Sequence, residues 1–230
     1  MKLAIMQPYF FPYIGYFQLI NSVDIFIFYD DVNFIKNGWI NRNRILLNGE
    51  SHFLTVQLKD ASSYKIINEV EFSDNRSKLL KTLEQAYKNA TNFDSIIPVL
   101  FDCLTIKTNT ISELAQYSVI QTCKYLDIET QFELSSKLCS DTKGLGKAER
   151  LQQICLINKS DIYINPIGGQ ALYRKQDFSS RNISLFFIEP QRFEYKQFNN
   201  VFIPWLSIID VLMFVDKESI KKSLNNFKLV

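Results

Sequence analysis

The apolar residues of this chain fall into short continuous runs and into longer stretches where they recur every three or four positions. The short runs predict buried strands at residues 2–6, 24–29, 130–134, 161–166 and 183–188. The longer stretches predict helices directly after Gly15 and at 76–90, 93–106, 111–126 and 147–158. Weaker patterns predict a strand at 68–72, a short helix at 170–178 and a helical region at 207–227.

The order of these elements predicts the fold class. Strands that alternate with helices are typical of an α/β fold, here a Rossmann-like mixed or parallel sheet that opens with a βαβ unit. The turn Asn48-Gly49 between apolar segments predicts a β-hairpin. The three helices at 76–126 interrupt the alternation without a linker on either side. We therefore interpret them as a helical insertion or subdomain within one α/β domain that spans 1–230.

Composition and charge narrow the classes of partner. The chain has 230 residues, 47% of them hydrophobic, and a formal net charge of +2. This balance gives no bulk attraction to nucleic acid or to acidic membranes. Four cysteines without a CxxC pair indicate reduced structural thiols. No signal peptide and no apolar run long enough to span a membrane is visible, so we expect a cytoplasmic protein.

The first predicted strand leads into a turn rich in proline and aromatic residues. It is similar to the first strand–loop–helix of nucleotidyltransferases, whose His-x-Gly-His motif contacts ATP phosphates. The corresponding residues here are Tyr13, Ile14, Gly15 and Tyr16, so both histidines are missing. Gly15 permits close approach of a ligand, and the helix start supplies donors for an anion. The alternative is a tight turn whose aromatic residues pack in the core. The substrate-binding candidates in this turn are Gln7, Tyr9, Tyr13, Gly15 and Tyr16.

Paired carboxylates, Asp30 and Asp31, end the second predicted strand. Two adjacent carboxylates repel each other and need a cation, hydrogen-bond donors or a proton. One of them is a candidate general base or cation ligand; capping of the next turn is the alternative. His52 is the chain's one histidine, and histidine is a common proton-transfer residue. Incidental placement on a strand is the more common role of such a residue. Asp30, Asp31 and His52 are the catalytic candidates.

The segment that follows combines cations, amides and a tryptophan. Arginines bind phosphate oxygens bidentately, and an indole stacks on a base or a sugar. The segment therefore predicts a nucleotide-diphosphate site, with a hairpin that has a basic, solvated face as the alternative. Its candidate residues are Lys36, Asn37, Trp39, Asn41, Arg42, Asn43 and Arg44.

Later segments carry weaker signals. Gly168, Gly169 and Tyr173 follow a predicted strand and are further binding candidates, although turn geometry explains the glycines equally well. We interpret Ser135-Ser136-Lys137 and the cations Lys143, Lys147 and Arg150 as solvated helix starts, with phosphate contacts as the second interpretation. Ser207 and Asp210 are interpreted as a helix cap and its partner, with a site role as the second interpretation.

Several strings, taken in order, resemble one protein family. These are QPYFFPYIGYFQLI, YDDVNFIKNGWINRNRI, SSKL, KAERLQQIC, YINPIGG-x-x-LY and PWLSIIDVL, and together they run from residue 1 to about 215. The chain resembles the WbqC-like family. That resemblance implies a place in bacterial O-antigen or capsule gene clusters and transfer of glycine or another acyl group to an amino sugar. It implies no catalytic residues, so the site candidates depend on the residues themselves.

Together these observations predict an N-acyltransferase, glycyl, aminoacyl or other, that acts on the amine of a nucleotide-linked amino sugar. Lys36, Trp39, Arg42 and Arg44 would hold the diphosphate, and backbone donors of the 7–15 turn would stabilise the oxyanion. Asp30, Asp31 or His52 would deprotonate the amine. The acyl donor is a thioester, linked to CoA or to a carrier protein, or an adenylate made with ATP. No metal ligand set is predicted, and a homo-oligomer stays open. The alternatives are an ATP-dependent nucleotidyltransferase or ligase and a non-catalytic sugar-nucleotide binding protein. Nucleic-acid binding is the weakest hypothesis.

Overall fold

The computed structural model describes residues 1–199 and 201–230. Its strands are β1 (Lys2–Met6), β2 (Ile25–Phe28), β3 (Arg42–Leu47), β4 (Glu50–Thr55), β5 (Gln131–Leu134), β6 (Ile162–Pro166), β7 (Ser184–Pro190) and β8 (Phe227–Leu229). Its α-helices are α1 (Ile14–Asn21), α2 (Arg76–Tyr87), α3 (Phe93–Thr105), α4 (Ile111–Tyr125), α5 (Ser135–Leu138), α6 (Lys147–Ile157), α7 (Lys175–Ser179), α8 (Ile208–Phe214) and α9 (Lys217–Ser223).

Six strands form the main sheet in the order β5-β2-β1-β6-β7-β8. All neighbours in this sheet pair parallel except β7 and β8, which pair antiparallel. Taken in chain order, the five parallel strands have the order 3-2-1-4-5, which is the first part of the doubly wound Rossmann order. The predicted Rossmann-like α/β fold with a mixed sheet is confirmed.

Side chains of the central strands alternate between two apolar cores. In β1, Leu3 and Ile5 face the core that contains α6 and α7, whereas Ala4 faces the core that contains α1. The same alternation separates Ile27 from Phe26 in β2. Helices therefore cover both faces of the sheet, as expected for parallel strands that are apolar on both sides.

The predicted hairpin is present as β3 and β4, an antiparallel pair outside the main sheet. Helices α2, α3 and α4 follow it, within the stretch where three helices are predicted. Their buried residues, among them Leu83, Leu100 and Val119, belong to the same apolar core as α1. The hairpin and the three helices thus extend one face of the Rossmann-like sheet.

The weaker predictions have different outcomes: the strand at 68–72 is wrong, whereas the short helix near 170–178 and the helical region at 207–227 are present with other bounds. Residues 68–72 form a 3₁₀ turn, Ile67–Glu69, followed by isolated bridges, because Asn68 bonds through its backbone N–H to Asp30. Residues 170–178 divide into a 3₁₀ segment, Ile167–Ala171, and the short α7. The region at 207–227 divides into α8, α9 and the edge strand β8, because Asp216 caps a new helix by accepting from the N–H of Ser219.

The four cysteines are buried and unpaired. Burial raises the pKa of Cys103 and that of Cys155 to about 12 each, so both stay protonated at neutral pH. No helix among residues 1–199 and 201–230 is long and apolar enough to cross a membrane.

Candidate functional site

The winding of the sheet reverses at β1. The first crossover runs from β1 through α1 to β2, which pairs with one side of β1. Strand β6 pairs with the other side of β1. In open α/β sheets ligands bind at such a switch point, outside the carboxyl ends of the strands. Two clefts open at this place. Cleft A, of about 730 Å³, borders α6, and cleft B, of about 570 Å³, borders α1. Met6, Tyr9 and Pro166 line both clefts, which therefore meet at the ends of β1 and β6.

Cleft A is lined by hydrogen-bond donors and by cations. Its polar lining consists of Gln7, Tyr9, Tyr29, Asn33, Lys147, Arg150, Tyr163, Asn165 and Tyr173, beside Gly144, Gly168 and Gly169. Within the described ranges, no carboxylate residue lines it. A cleft with this lining favours an anionic ligand.

Arg150 is the buried cation of cleft A, and Asp31 holds it. The Nη2 of Arg150 donates to Oδ1 and Oδ2 of Asp31 at 2.8 and 2.7 Å, and its Nε donates to Thr142 at 3.0 Å. The guanidinium also lies 4.7 Å from the ring centroid of Tyr29. Burial raises the pKa of Tyr29, and the nearby positive charge of Arg150 opposes that rise. Asp31 thus acts on cleft A through Arg150, because it does not itself line the cleft.

Asp30, which follows β2, accepts hydrogen bonds from the start of α5. Its Oδ1 accepts from the backbone N–H of Ser136 at 3.0 Å, and its Oδ2 accepts from the Ser136 hydroxyl at 2.7 Å. The hydroxyl of Ser135 lies 2.5 Å from Asp31 and 3.2 Å from Asp30, so it bridges the two carboxylates. Asn68 adds a bond of 3.3 Å. Asp30 is 2% exposed and lines neither cleft.

Cleft B is walled mostly by aromatic and aliphatic side chains. Trp39 and Trp205, 38% and 48% exposed, both line it. Arg44 lies between them, with its guanidinium carbon 5.7 Å from the Trp39 ring centroid and its Nη2 donating to the Trp205 carbonyl at 3.1 Å. Glu189 is the one carboxylate residue among the described lining residues of either cleft. Such a lining suits a flat or apolar group that carries a polar end.

Three tyrosines of the opening turn contribute to cleft B. Burial raises the pKa of Tyr9, Tyr13 and Tyr16, so each is a neutral hydroxyl at physiological pH. The Tyr16 hydroxyl donates to the carbonyl of Gln7 at 2.8 Å, which fixes the turn to α1. A Cβ at Gly15 would collide with the ring of Tyr13. What approaches Gly15 closely is therefore Tyr13. Gly15 also lines cleft B, so its predicted role in approach of a ligand stays a prediction.

Two backbone amides of the turn are already bonded within the protein. The N–H of Phe10 donates to the Trp39 carbonyl at 3.0 Å, and that of Phe11 donates to Ser118 at 3.1 Å. These two are therefore not free to stabilise an oxyanion. The amides of Ile14 and Gly15 begin α1, which has no side-chain cap at Tyr13, and they stay candidates for that role.

Comparison with known proteins identifies the family. The model of the WbqC-like protein family matches residues 7–222. The chain belongs to the WbqC-like protein family. It is also similar to an uncharacterized protein of Mycobacterium tuberculosis (strain ATCC 25618 / H37Rv), with 29% identity over 229 residues that cover 95% of each chain. No solved structure matches it.

In this WbqC-like protein, some side chains of the polar segment before and within β3 line cleft B, and others bind backbone carbonyls nearby. Trp39, Asn43 and Arg44 line cleft B. Asn43 also donates to the carbonyls of Phe10 and Phe11 at 3.2 and 2.9 Å, which holds the opening turn.

The other candidates of the segment are not brought to either cleft. Arg42 donates to the carbonyls of Asn37 and Gly38 at 2.6 and 3.3 Å, and its guanidinium covers Phe53. Asn41 donates to the carbonyl of Val56 at 2.9 Å. Lys36 and Asn37 are exposed in the turn before them. Lys36, Arg42 and Arg44 do not line one cleft together, because Arg42 and Asn41 bind backbone carbonyls next to their own hairpin. One diphosphate site that joins these residues stays a prediction.

The remaining candidates of the WbqC-like chain are also separated. Gln7, Gly168, Gly169 and Tyr173 line cleft A. A Cβ at Gly169 would collide with Asn165, so packing requires this glycine, whereas the space beside Gly168 is open. His52 is exposed on β4, opposite Ile45, and lines neither cleft. Catalytic roles for Asp30, Asp31 and His52 stay predictions that these positions do not support.

Two important residues of the WbqC-like chain differ from their sequence interpretation. Arg150 is 6% exposed, so it is not part of a solvated helix start. Asp210 is fully buried and accepts from Tyr87 at 2.9 Å, Tyr195 at 2.6 Å and Gln197 at 2.7 Å. Its interpretation as a mere capping partner is therefore wrong. Burial raises the pKa of Asp210, while the three hydrogen bonds oppose that rise. The sequence signal for Arg150 is its position three residues after Lys147; none marks Asp210 beyond its apolar neighbours.

Proposed function

We propose that this WbqC-like protein is an N-acyltransferase that acts on the amine of a nucleotide-linked amino sugar in O-antigen or capsule biosynthesis. The observation that carries the proposal is the meeting of two unlike clefts at the switch point of the sheet. Cleft A suits an anion, and cleft B suits an apolar or flat group. A transfer reaction needs two substrates that meet, and Met6, Tyr9 and Pro166 line the junction.

In this proposal the sugar nucleotide occupies cleft A and the acyl group, glycyl, another aminoacyl or other, occupies cleft B. The free amine of the sugar attacks the acyl carbonyl and forms the C–N bond. The bond to the leaving group, a thiolate or the phosphate of an adenylate, then breaks. The amine must lose a proton to a base. Glu189 is assigned as this base, because it is the one carboxylate residue among the described residues that line the two clefts.

The test is a transfer assay read by mass spectrometry. The protein is incubated with nucleotide-linked amino sugars and, in separate reactions, with acyl-CoA, acyl-carrier protein, or an amino acid with ATP. The proposal expects a sugar nucleotide whose mass has increased by one acyl group, formed only with the protein and a donor. Absence of product with every pair, while a sugar nucleotide still binds, would support a non-catalytic binding protein instead.

The strand order favours a second candidate, an ATP-dependent nucleotidyltransferase or ligase. The order 3-2-1-4-5, with α1 directly after β1, is typical of nucleotide-binding sheets. This candidate predicts release of AMP or pyrophosphate in the same reactions. Acyl transfer from a thioester without ATP would contradict it.

A further inference from the structure

The anionic ligand of cleft A can be described more closely from its two cations. Lys147 and Arg150 are three residues apart in α6 and therefore lie on the same side of the helix, at its first turn. Both line cleft A. Lys147 is exposed at the mouth, whereas the side chain of Arg150 is 7% exposed and lies deeper.

The hydrogen bonds of Arg150 fix its guanidinium beside cleft A. Asp31 engages Nη2 and Thr142 engages Nε, and neither of these bonds uses Nη1. Tyr29, which lines the same cleft, lies against the guanidinium and also bonds to it. A guanidinium that is fixed in this way presents its remaining N–H groups in a defined direction. Such pre-organised arginines bind phosphate oxygens well, because little side-chain entropy is lost on binding.

The charge around Arg150 also favours an anion. Asp31 is buried against two cations, since Arg150 donates to it and Lys143 lies 3.8 Å away. Arg150 and Lys147 line a cleft whose described lining contains no carboxylate. Gly146, at the N-cap of α6, gives no side-chain cap, so the first backbone N–H groups of the helix add donors.

We propose that cleft A is a diphosphate site in which Arg150 and Lys147 bind the phosphate oxygens and Asp31 is the positioning residue for Arg150. The diphosphate is assigned to the nucleotide-linked sugar, and in that assignment the inference depends on the proposed function. The site itself does not, because ATP and CoA also carry a diphosphate.

The test is isothermal titration of the full chain with inorganic pyrophosphate, UDP, ATP and CoA. Lys147→Gln is expected to weaken pyrophosphate binding about threefold to tenfold, and Arg150→Lys about tenfold to a hundredfold. The matched control Lys81→Gln removes the same charge from an exposed position of α2 and leaves binding unchanged. The double variant Asp31→Asn with Arg150→Gln removes the buried pair together, so that no unpaired buried charge is left.

The outcomes separate the site from the function. Pyrophosphate binding that is equal in wild type, Lys147→Gln and the folded double variant would overturn the site. Preference for ATP or CoA over UDP would overturn the assignment to a sugar nucleotide. Loss of pyrophosphate binding in the variants, together with no acyl transfer by the wild type, would confirm the site and contradict the proposed function. For Asp31, pyrophosphate binding that weakens in the folded fraction of Asp31→Asn, measured well below its melting temperature, supports positioning. Destabilisation with unchanged binding by the folded fraction would show a purely structural role.

Discussion

Arg150 and Asp31 lie 119 residues apart in the chain, and Nη2 of Arg150 donates to both carboxylate oxygens of Asp31. This buried pair joins the end of β2 to the first turn of α6. Through it, a carboxylate that lines neither cleft determines where the cation of cleft A lies. The arrangement gives one of the two adjacent aspartates a defined task beside the proposed diphosphate site.

Asp31→Asn is expected to lower the free energy of unfolding by about 3–5 kcal/mol, because it leaves Arg150 buried without its counter-ion. Urea unfolding of both proteins measures the difference. Asp127→Asn, at an exposed carboxylate that pairs with Lys217 and Lys221, serves as control and is expected to change stability far less. Equal losses in the two variants would show that Asp31 is not a critical partner of Arg150.

Asp30→Asn is expected to lower stability, whereas Glu189→Gln is expected to lower turnover. The first removes acceptors used by Ser136 and costs about 1–3 kcal/mol of stability, with turnover preserved in the folded fraction. The second removes the proposed base, so turnover falls about 100-fold or more at unchanged melting temperature. Transfer rates and melting curves of both variants measure this. Inactivity of a stably folded Asp30→Asn, with full activity of Glu189→Gln, would reverse the assignment.

Gly15→Ala is expected to change the arrangement of the aromatic side chains in cleft B, with only a small effect on the stability of the protein. The new methyl group displaces the ring of Tyr13, which now packs edge-on against Trp205 with ring centroids 5.9 Å apart. The better helix propensity of alanine, up to about 1 kcal/mol, offsets part of the clash. We expect a shifted tryptophan emission maximum and a small change in melting temperature. Gly168→Ala, where a Cβ meets no atom within 4 Å, is the control and should leave the emission unchanged.

The loss of stability caused by Asp210→Asn is expected to depend on pH. The pKa of Asp210 is raised in the folded state, so folding favours the protonated acid, and that stabilisation is lost as pH rises through the raised value. The asparagine variant lacks this titration and loses about 1–3 kcal/mol from its altered hydrogen bonds with Tyr87, Tyr195 and Gln197. Its stability deficit against wild type should therefore be largest near pH 4 and shrink towards pH 7. A deficit that grows over this range would contradict the raised pKa.

The strands and most helices follow from local patterns in the sequence. The apolar run before Asp30 predicts β2, and Asn48-Gly49 predicts the hairpin, because period and turn chemistry act over a few residues. The pattern predicts one helical region at 207–227 but not the break between α8 and α9, because its apolar spacing continues past Val215, although Asp216 begins a new cap.

The site was predictable only in part. The sequence predicts that the opening turn and Trp39 contribute to a site, because unusual residues lie close together there, and both line cleft B. The pairing of Asp31 with Arg150, and that of Asp210 with Tyr87, joins positions more than one hundred residues apart. Only the tertiary structure determines such pairs. It likewise decides that Arg42 binds backbone carbonyls of the turn before its hairpin, whereas Arg44 lines cleft B.

The most direct test of the joined clefts uses the intrinsic fluorescence of the protein. The chain contains two tryptophans, and both Trp39 and Trp205 line cleft B. Titration with the nucleotide-linked amino sugar that best stabilises the protein, followed by its acyl donor, is monitored at both emission and melting temperature. The account predicts a saturable emission change on addition of the donor, with a dissociation constant that depends on whether the sugar nucleotide is already bound. Thermal stabilisation by both ligands with unchanged tryptophan emission would place the reaction elsewhere and contradict the account.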